Sequence, residues 1–125
     1  MTRLAEQHQS IIILAVSPAV WAAHFLLCYL TAAIWCAKQP TALAPLAGVR
    51  TTIAVYTVFA LVGIALVGWR GYIAHSHGTA TPPHDEDTPE DRHRFMGFAT
   101  FLLSALSALA VVYTALVAVF VETCQ

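Results

Sequence analysis

His24 is the residue with the clearest potential for chemistry, because it lies near the middle of a long apolar stretch. Residues 11–37 contain no charged side chain. An ionisable group in such a stretch is costly and therefore often functional. A neutral imidazole could ligate haem or copper, contact a quinone or relay protons. It could also link two helices by a hydrogen bond, and one histidine does not complete a bis-histidine haem site. We favour the structural role and keep His24 as a cofactor-binding candidate.

His24 belongs to a stripe of polar and aromatic side chains on one face of the predicted first helix. At 100° per residue the stripe is about 80° wide. Cys28, one turn after His24, is expected to be a small packing residue rather than a metal ligand. Small and hydroxyl side chains on the third predicted helix form a matching contact face. The predicted helix-packing residues are Ser17, Trp21, Cys28, Thr31, Trp35, Ser104 and Ala108.

Three further histidines, His75, His77 and His84, lie in a polar segment that also contains Asp85, Glu86 and Asp87. Mixed imidazole and carboxylate ligands suit zinc or nickel. However, their spacing matches no closed tetrahedral site, and an acidic loop is usually solvated. We therefore expect no metal site in this segment and keep the three histidines only as weak candidates.

The elements that position these groups are long apolar segments, and such segments predict an all-α integral membrane protein. Of the 125 residues, 58% are hydrophobic and 10% are charged. Residues 11–37, 51–72 and 95–121 are each predicted to form a transmembrane helix, because about 20 apolar residues cross a bilayer. Residues 74–93 are predicted to form a polar loop, and residues 1–10 a short polar tail. The whole chain is then a single membrane domain.

The second predicted span contains small residues that would allow another helix to approach its backbone closely. In lipid, such residues are enriched at helix contacts because apolar burial does not by itself drive helices together. We therefore predict that this helix packs tightly against a neighbour. The small residues are Ala60, Gly63, Gly68 and Gly71.

The cations predict the orientation of the three spans. Four lie on the side of the N-terminus and the second loop, and two on the opposite side: Arg3, Arg70, Arg92 and Arg94 against Lys38 and Arg50. Because cytoplasmic loops are enriched in Lys and Arg, we expect the N-terminus in the cytoplasm and the C-terminus outside. In bacteria this means a multi-pass protein of the inner membrane.

Cys36 and Cys124 fall on the same, outer side in this topology. That compartment is oxidising in a bacterial envelope, so a pair of thiols there tends to persist as a disulfide. The bridge requires the two Cα atoms to approach within about 7 Å. We favour a disulfide, and the alternatives are two free thiols or two soft ligands for copper.

Several classes of function are disfavoured. A net charge of −1 argues against nucleic acid as a partner. The chain has no Walker loop, no nucleophile elbow, no HExxH and no CxxC motif. The predicted spans also lack a carboxylate. We therefore expect no independent enzyme, no soluble small-molecule substrate and no cofactor held by the chain alone, with haem or copper as the alternative.

The first span resembles a known group of proteins. Residues 17–25, SPAVWAAHF, contain the pattern P-x-x-W-x-x-H-F, and the match continues through Tyr29 to Cys36. This segment resembles small three-helix membrane proteins of proteobacteria found alongside haem-copper oxidase and cytochrome c assembly genes. The resemblance implies a role beside a respiratory complex and carries over no catalytic residue.

We therefore expect an accessory or assembly subunit of a larger integral membrane complex, with a haem-copper terminal oxidase as the favoured complex. Such a subunit would act through helix packing and would have the lipid bilayer as its other partner. The alternative is a membrane protein that handles haem, copper or quinone through His24.

Overall fold

Three α-helices form nearly all of the structure. The computed structural model describes residues 2–76 and 89–124. Within these residues there is no β-sheet, only an isolated antiparallel bridge between Pro45 and Thr123. The predicted all-α fold is therefore confirmed. In chain order the helices are α1 (Thr2–Lys38), α2 (Ala47–Ser76) and α3 (Pro89–Phe120).

Each helix contains a segment long and apolar enough to cross a membrane. These segments are Ile11–Lys38, Ala47–Ser76 and Arg94–Phe120. The bundle buries 17%, 22% and 17% of their most apolar stretches, respectively. Most of the apolar surface of the three helices therefore faces outward, as expected when lipid or another subunit covers it.

The helices extend beyond the predicted spans at their polar ends. α1 begins at Thr2, so the segment predicted as a tail is helical. α2 continues to Ser76 and α3 begins at Pro89, so the predicted loop 74–93 is shorter at both ends. Hydropathy marks the part of a helix that lipid can cover, whereas backbone hydrogen bonding propagates into polar residues as well. Proline suits the first position of α3 because its missing N–H would have no partner there. The rest of the predicted loop, residues 77–88, lies outside the described residues.

α2 and α3 pack backbone against backbone at one end. A Cβ atom added at Gly71 would lie 2.8 Å from the carbonyl oxygen of Gly97, and one added at Gly97 would lie 2.8 Å from that of Gly71. At Gly68 the nearest atom would be Ser104 Cβ, at 3.1 Å. The predicted close approach is thus present at Gly68 and Gly71. At Gly63, by contrast, an added Cβ would meet nothing within 4 Å, so neither α1 nor α3 approaches this backbone closely.

Two clusters of buried side chains connect the helices. One lies towards the end of α1 and contains Cys28, Leu46, Val49 and Ile53. The other lies nearer the middle of the bundle and contains Ala60, Ile64 and Val111, with Val20 of α1 and Ala108 of α3 packed against it. Both clusters join residues of α1, α2 and α3. The bundle therefore has a narrow apolar core with polar contacts placed between its layers.

Candidate functional site

Buried polar side chains of α1 connect this helix to both of its neighbours. Ser17 and His24 expose only 1% and 2% of their surface. The Oγ atoms of Ser17 and Ser104 lie 2.7 Å apart and form a hydrogen bond between α1 and α3. Nε2 of His24 lies 3.0 Å from Thr57 Oγ1 and connects α1 to α2. Each of these contacts satisfies groups that would be costly to leave unpaired in an apolar surrounding.

The contacts of Thr57 determine which nitrogen of His24 carries the proton. Thr57 Oγ1 donates its hydrogen to the backbone carbonyl of Ile53, at 2.7 Å. The same oxygen therefore accepts from His24, so Nε2 carries the hydrogen in the neutral ring. Nδ1 of His24 then presents a lone pair. This nitrogen is buried and has no hydrogen-bond partner in the described part of the chain.

Cys28 lies beside His24 on the same face of α1. Its Sγ atom is 3.5 Å from His24 Nε2, and the side chain is a buried free thiol. In the neutral ring described above, Nε2 carries the hydrogen, so it does not offer a lone pair to a metal beside Sγ. No group of three His, Cys, Asp or Glu side chains suited to a metal occurs among the described residues. The Cys28 side chain packs with Val49 and Ile53 of α2.

The other members of the predicted stripe differ in their burial. Ser104 is buried, and Thr31 and Ala108 are partly buried. Trp21 and Trp35, by contrast, expose 38% and 40% of their surface. They lie at the edge of the bundle, because an indole extends beyond the narrow contact line that Ser, Cys and Thr side chains fill. The packing of Trp21 and Trp35 against a larger partner stays a prediction.

Cys36 and Cys124 meet at the end of the bundle where α1 and α3 terminate. Their Sγ atoms are 2.00 Å apart, and their Cα atoms are 5.6 Å apart. This is the disulfide pairing that the sequence predicted, and it spans 88 positions of the chain. Two backbone contacts hold the same region together: Leu46 N–H donates to the carbonyl of Glu122 at 3.3 Å, and Pro45 forms the isolated bridge with Thr123.

Arg50 caps the C-terminal end of α3, a role that the sequence analysis missed. Its Nε donates to the carbonyl of Ala118 at 3.0 Å, and its Nη2 donates to those of Val119 and Val121 at 2.6 and 3.2 Å. The last carbonyls of a helix lack partners within the helix and carry partial negative charge, so a guanidinium stabilises them. α3 has no basic residue in its own last turn. The lack of a basic residue at the end of α3, together with a cation near the start of the antiparallel helix α2, could have predicted this cap from the sequence.

An open crevice lies between α1 and α3 on the same half of the bundle. Its volume is about 420 Å³. α1 contributes side chains from Phe25 to Ala32, α3 contributes side chains from Tyr113 to Ala118, and Val121 lines the crevice just after α3. Leu46, Val49 and Ile53 form its floor. Cys28 and Arg50 also line it, whereas His24 does not, so the crevice and the unpartnered Nδ1 are separate features.

Of the three loop histidines, His75 is the one that the structure describes. His75 stacks against Phe98, with the ring centroids 5.0 Å apart, and its backbone carbonyl accepts a 3.0 Å hydrogen bond from Arg94 Nε. These contacts connect the end of α2 to the start of α3. His77 and His84 lie outside the described residues, so the weak metal hypothesis stays a prediction.

Comparisons with known proteins add no assignment to this geometry. No family model, no curated protein and no solved structure matches the chain.

Proposed function

We propose that this protein is a small non-catalytic accessory or assembly subunit of a larger respiratory complex in the bacterial inner membrane, with a haem-copper terminal oxidase as the favoured complex. One observation carries the proposal that a protein partner exists: the position and exposure of Trp21. The respiratory assignment itself is supported by the resemblance of residues 17–36 to small proteins from such gene neighbourhoods.

Trp21 lies where a lipid-facing indole has little to gain. It is about 5 Å along α1 from the middle of the segment Ile11–Lys38, at 1.5 Å per residue. Tryptophan is enriched at the two membrane–water interfaces, where its N–H reaches polar groups. Trp21 exposes 38% of its surface, and its indole N–H donates no hydrogen bond within the described residues. Hydrocarbon chains offer no acceptor, whereas a helix of a partner subunit does.

The proposed topology keeps the N-terminus in the cytoplasm and the C-terminus outside. The four-to-two cation count supports it through the positive-inside rule. The contact of Cys36 with Cys124 supports it independently, because a disulfide persists in the oxidising compartment outside the cytoplasmic membrane. The cation count and the disulfide both favour an outer location for the C-terminal end of α3.

The test compares two tryptophan variants of the full-length protein. The tagged protein is solubilised with mild detergent from membranes of its native host, and co-purifying oxidase is measured by mass spectrometry and by its haem spectrum. We expect W21F to retain less oxidase than wild type, because phenylalanine keeps most of the ring but loses the N–H donor. W69F is the matched control, since Trp69 is also exposed but lies near the C-terminal end of α2 rather than near the middle of a span.

Two outcomes of this test contradict the proposal. Equal oxidase recovery with W21F and wild type would show that the indole N–H does not contribute to partner binding. Purification of the wild-type protein without any oxidase subunit would contradict the proposed respiratory partner.

A second candidate function is cofactor handling through His24. The observation that favours it is the buried Nδ1, which presents a lone pair without a partner in the described structure. Neutral imidazole nitrogens with this character ligate haem or copper. The same purification decides between the two functions. A haem or copper signal that stays with the isolated protein and disappears in H24L, while the oxidase still co-purifies, supports cofactor handling.

A further inference from the structure

The crevice between α1 and α3 has the length and shape of a groove for an extended chain. Phe25 and Ala32 mark its two ends on α1, about 10 Å apart at 1.5 Å per residue. Tyr113 and Ala118 mark its ends on α3, about 8 Å apart, and Val121 lines it just beyond the helix. Both pairs run in the same direction, towards the end of the bundle that holds the disulfide. The groove is open at the side, along segments of the helices that are apolar enough to lie in lipid.

Its chemistry is apolar along the groove and cationic at one end. Aliphatic and aromatic side chains form most of the lining, and Arg50 is the one charged residue among the described residues that line it. This residue lies near the start of α2, at the level of the last turn of α3. A volume of about 420 Å³ falls within the usual range of ligand sites. The groove thus matches an amphiphile with one apolar chain and an anionic group.

Arg50 retains donors for an anion after capping α3. Its Nε and Nη2 atoms donate to the three carbonyls of α3, which leaves the two N–H groups of Nη1. No carboxylate of the described residues forms an ion pair with it. Guanidinium groups bind phosphate oxygens through charge-assisted hydrogen bonds. Because three contacts to α3 already hold the side chain, little conformational entropy is lost when an anion binds.

We propose that this crevice binds one anionic membrane phospholipid, with an acyl chain along the groove and the phosphate group at Nη1 of Arg50. Lipid is the occupant because the groove opens sideways onto helix surface that faces hydrocarbon, where acyl chains are the surrounding solvent. A guanidinium at the end of an apolar groove is suited to the phosphate of a lipid head group, because its planar donors match phosphate oxygens. This site is distinct from Trp21 and does not depend on the accessory role.

Native mass spectrometry of the delipidated, purified full-length protein tests the proposal. The probes are dioleoyl-phosphatidylglycerol, which carries an anionic phosphate, and dioleoylglycerol, which has the same chains and no phosphate. We expect one tightly bound phosphatidylglycerol per protein, with an affinity about tenfold above that for dioleoylglycerol, as one charge-assisted hydrogen bond allows. Equal affinity for the two lipids would overturn the role of Arg50.

Three variants and one control locate the site. A32F and V117F fill the groove from opposite walls without changing Arg50, and each is expected to abolish the tight binding while the helical content stays unchanged. R50Q is expected to remove the preference for phosphatidylglycerol. R70Q is the control, because this cation does not line the groove. Retention of binding by the folded A32F and V117F proteins would overturn the site. The proposal would also be overturned if a co-purifying polypeptide crosslinked to Tyr29 and Tyr113, because that polypeptide would then occupy the groove in place of the lipid.

Discussion

Ser17 and His24 each contact a different helix, so the polar side chains of α1 position this helix against both α2 and α3. Ser17 bonds to Ser104 and His24 bonds to Thr57, one contact per neighbour. The helical period predicted that these α1 residues share one face. The sequence also predicted the contact face of α3 that contains Ser104, but it did not single out Thr57, whose hydroxyl donates to the carbonyl of Ile53 within its own helix.

At this scale we predict that the contact of Ser17 with Ser104 contributes a coupling energy of about 0.6 kcal/mol, the typical value for such bonds between membrane helices. S17A and S104A should each lower the free energy of unfolding by about 1 kcal/mol. The double variant should lose less than the sum, because no hydroxyl is then left without its partner. Unfolding in mixed micelles, followed by circular dichroism, measures all three.

T114A is the control for this cycle, since Thr114 bonds only to the carbonyl of Ala110 within its own helix. Additive effects of S17A and S104A would show that the 2.7 Å contact carries no coupling.

The helices differ in how their small residues are used. Gly63, Gly68 and Gly71 look alike in the sequence, yet only the last two lie against α3. A glycine allows close packing only if it lies on the face that contacts a neighbouring helix. The second span is too uniformly apolar for its sequence pattern to show which face that is. Arg50 illustrates the same limit, because it caps carbonyls 68 to 71 positions away in the chain.

The glycines of α2 and α3 provide a matched pair of tests. We predict that G97A lowers the free energy of unfolding by about 1–3 kcal/mol. Its new Cβ would lie 2.8 Å from the carbonyl oxygen of Gly71 and 2.9 Å from the backbone nitrogen of His75, so α2 and α3 must separate. G63A should be neutral or stabilising by up to about 1 kcal/mol, because alanine favours the helix and the position is open.

The same unfolding assay measures both variants. A G97A protein as stable as wild type would contradict the close packing of α2 against α3.

Across the whole molecule, different interactions hold the two ends of the bundle. At one end α2 and α3 meet through Gly71 and Gly97, and Arg94 donates to the carbonyl of His75. At the other end the disulfide joins α1 to the tail after α3, and Arg50 joins α2 to the last turn of α3. The groove lies in the same half of the molecule as this second end, between α1 and α3. Hydropathy and the cation count predicted the disulfide, because three crossings place Cys36 and Cys124 on one side and the cations make that side the oxidising, outer one.

The last prediction concerns this disulfide and the orientation of the molecule together. If Cys36 and Cys124 face the oxidising compartment, the protein purified without reductant and then denatured should have one alkylatable thiol, that of Cys28. After reduction, three cysteines should react, and mass spectrometry counts them. Labelling of Cys124 by a membrane-impermeant reagent in intact cells without reductant would contradict the bridge. Labelling of Cys36 and Cys124 only from the cytoplasmic side would contradict the topology.

We expect the disulfide to stabilise the protein substantially, although the three helices do not need it in order to pack. Closing a loop of 88 positions restricts the unfolded chain, which typically stabilises a fold by about 2–4 kcal/mol. The double variant C36S/C124S should lose about that much, and C28S serves as the control for cysteine replacement. Arg50 and the contact of Leu46 with Glu122 hold the same end without the disulfide. The reduced protein should therefore keep its helical content and its three-helix packing, and unfold at a lower denaturant concentration.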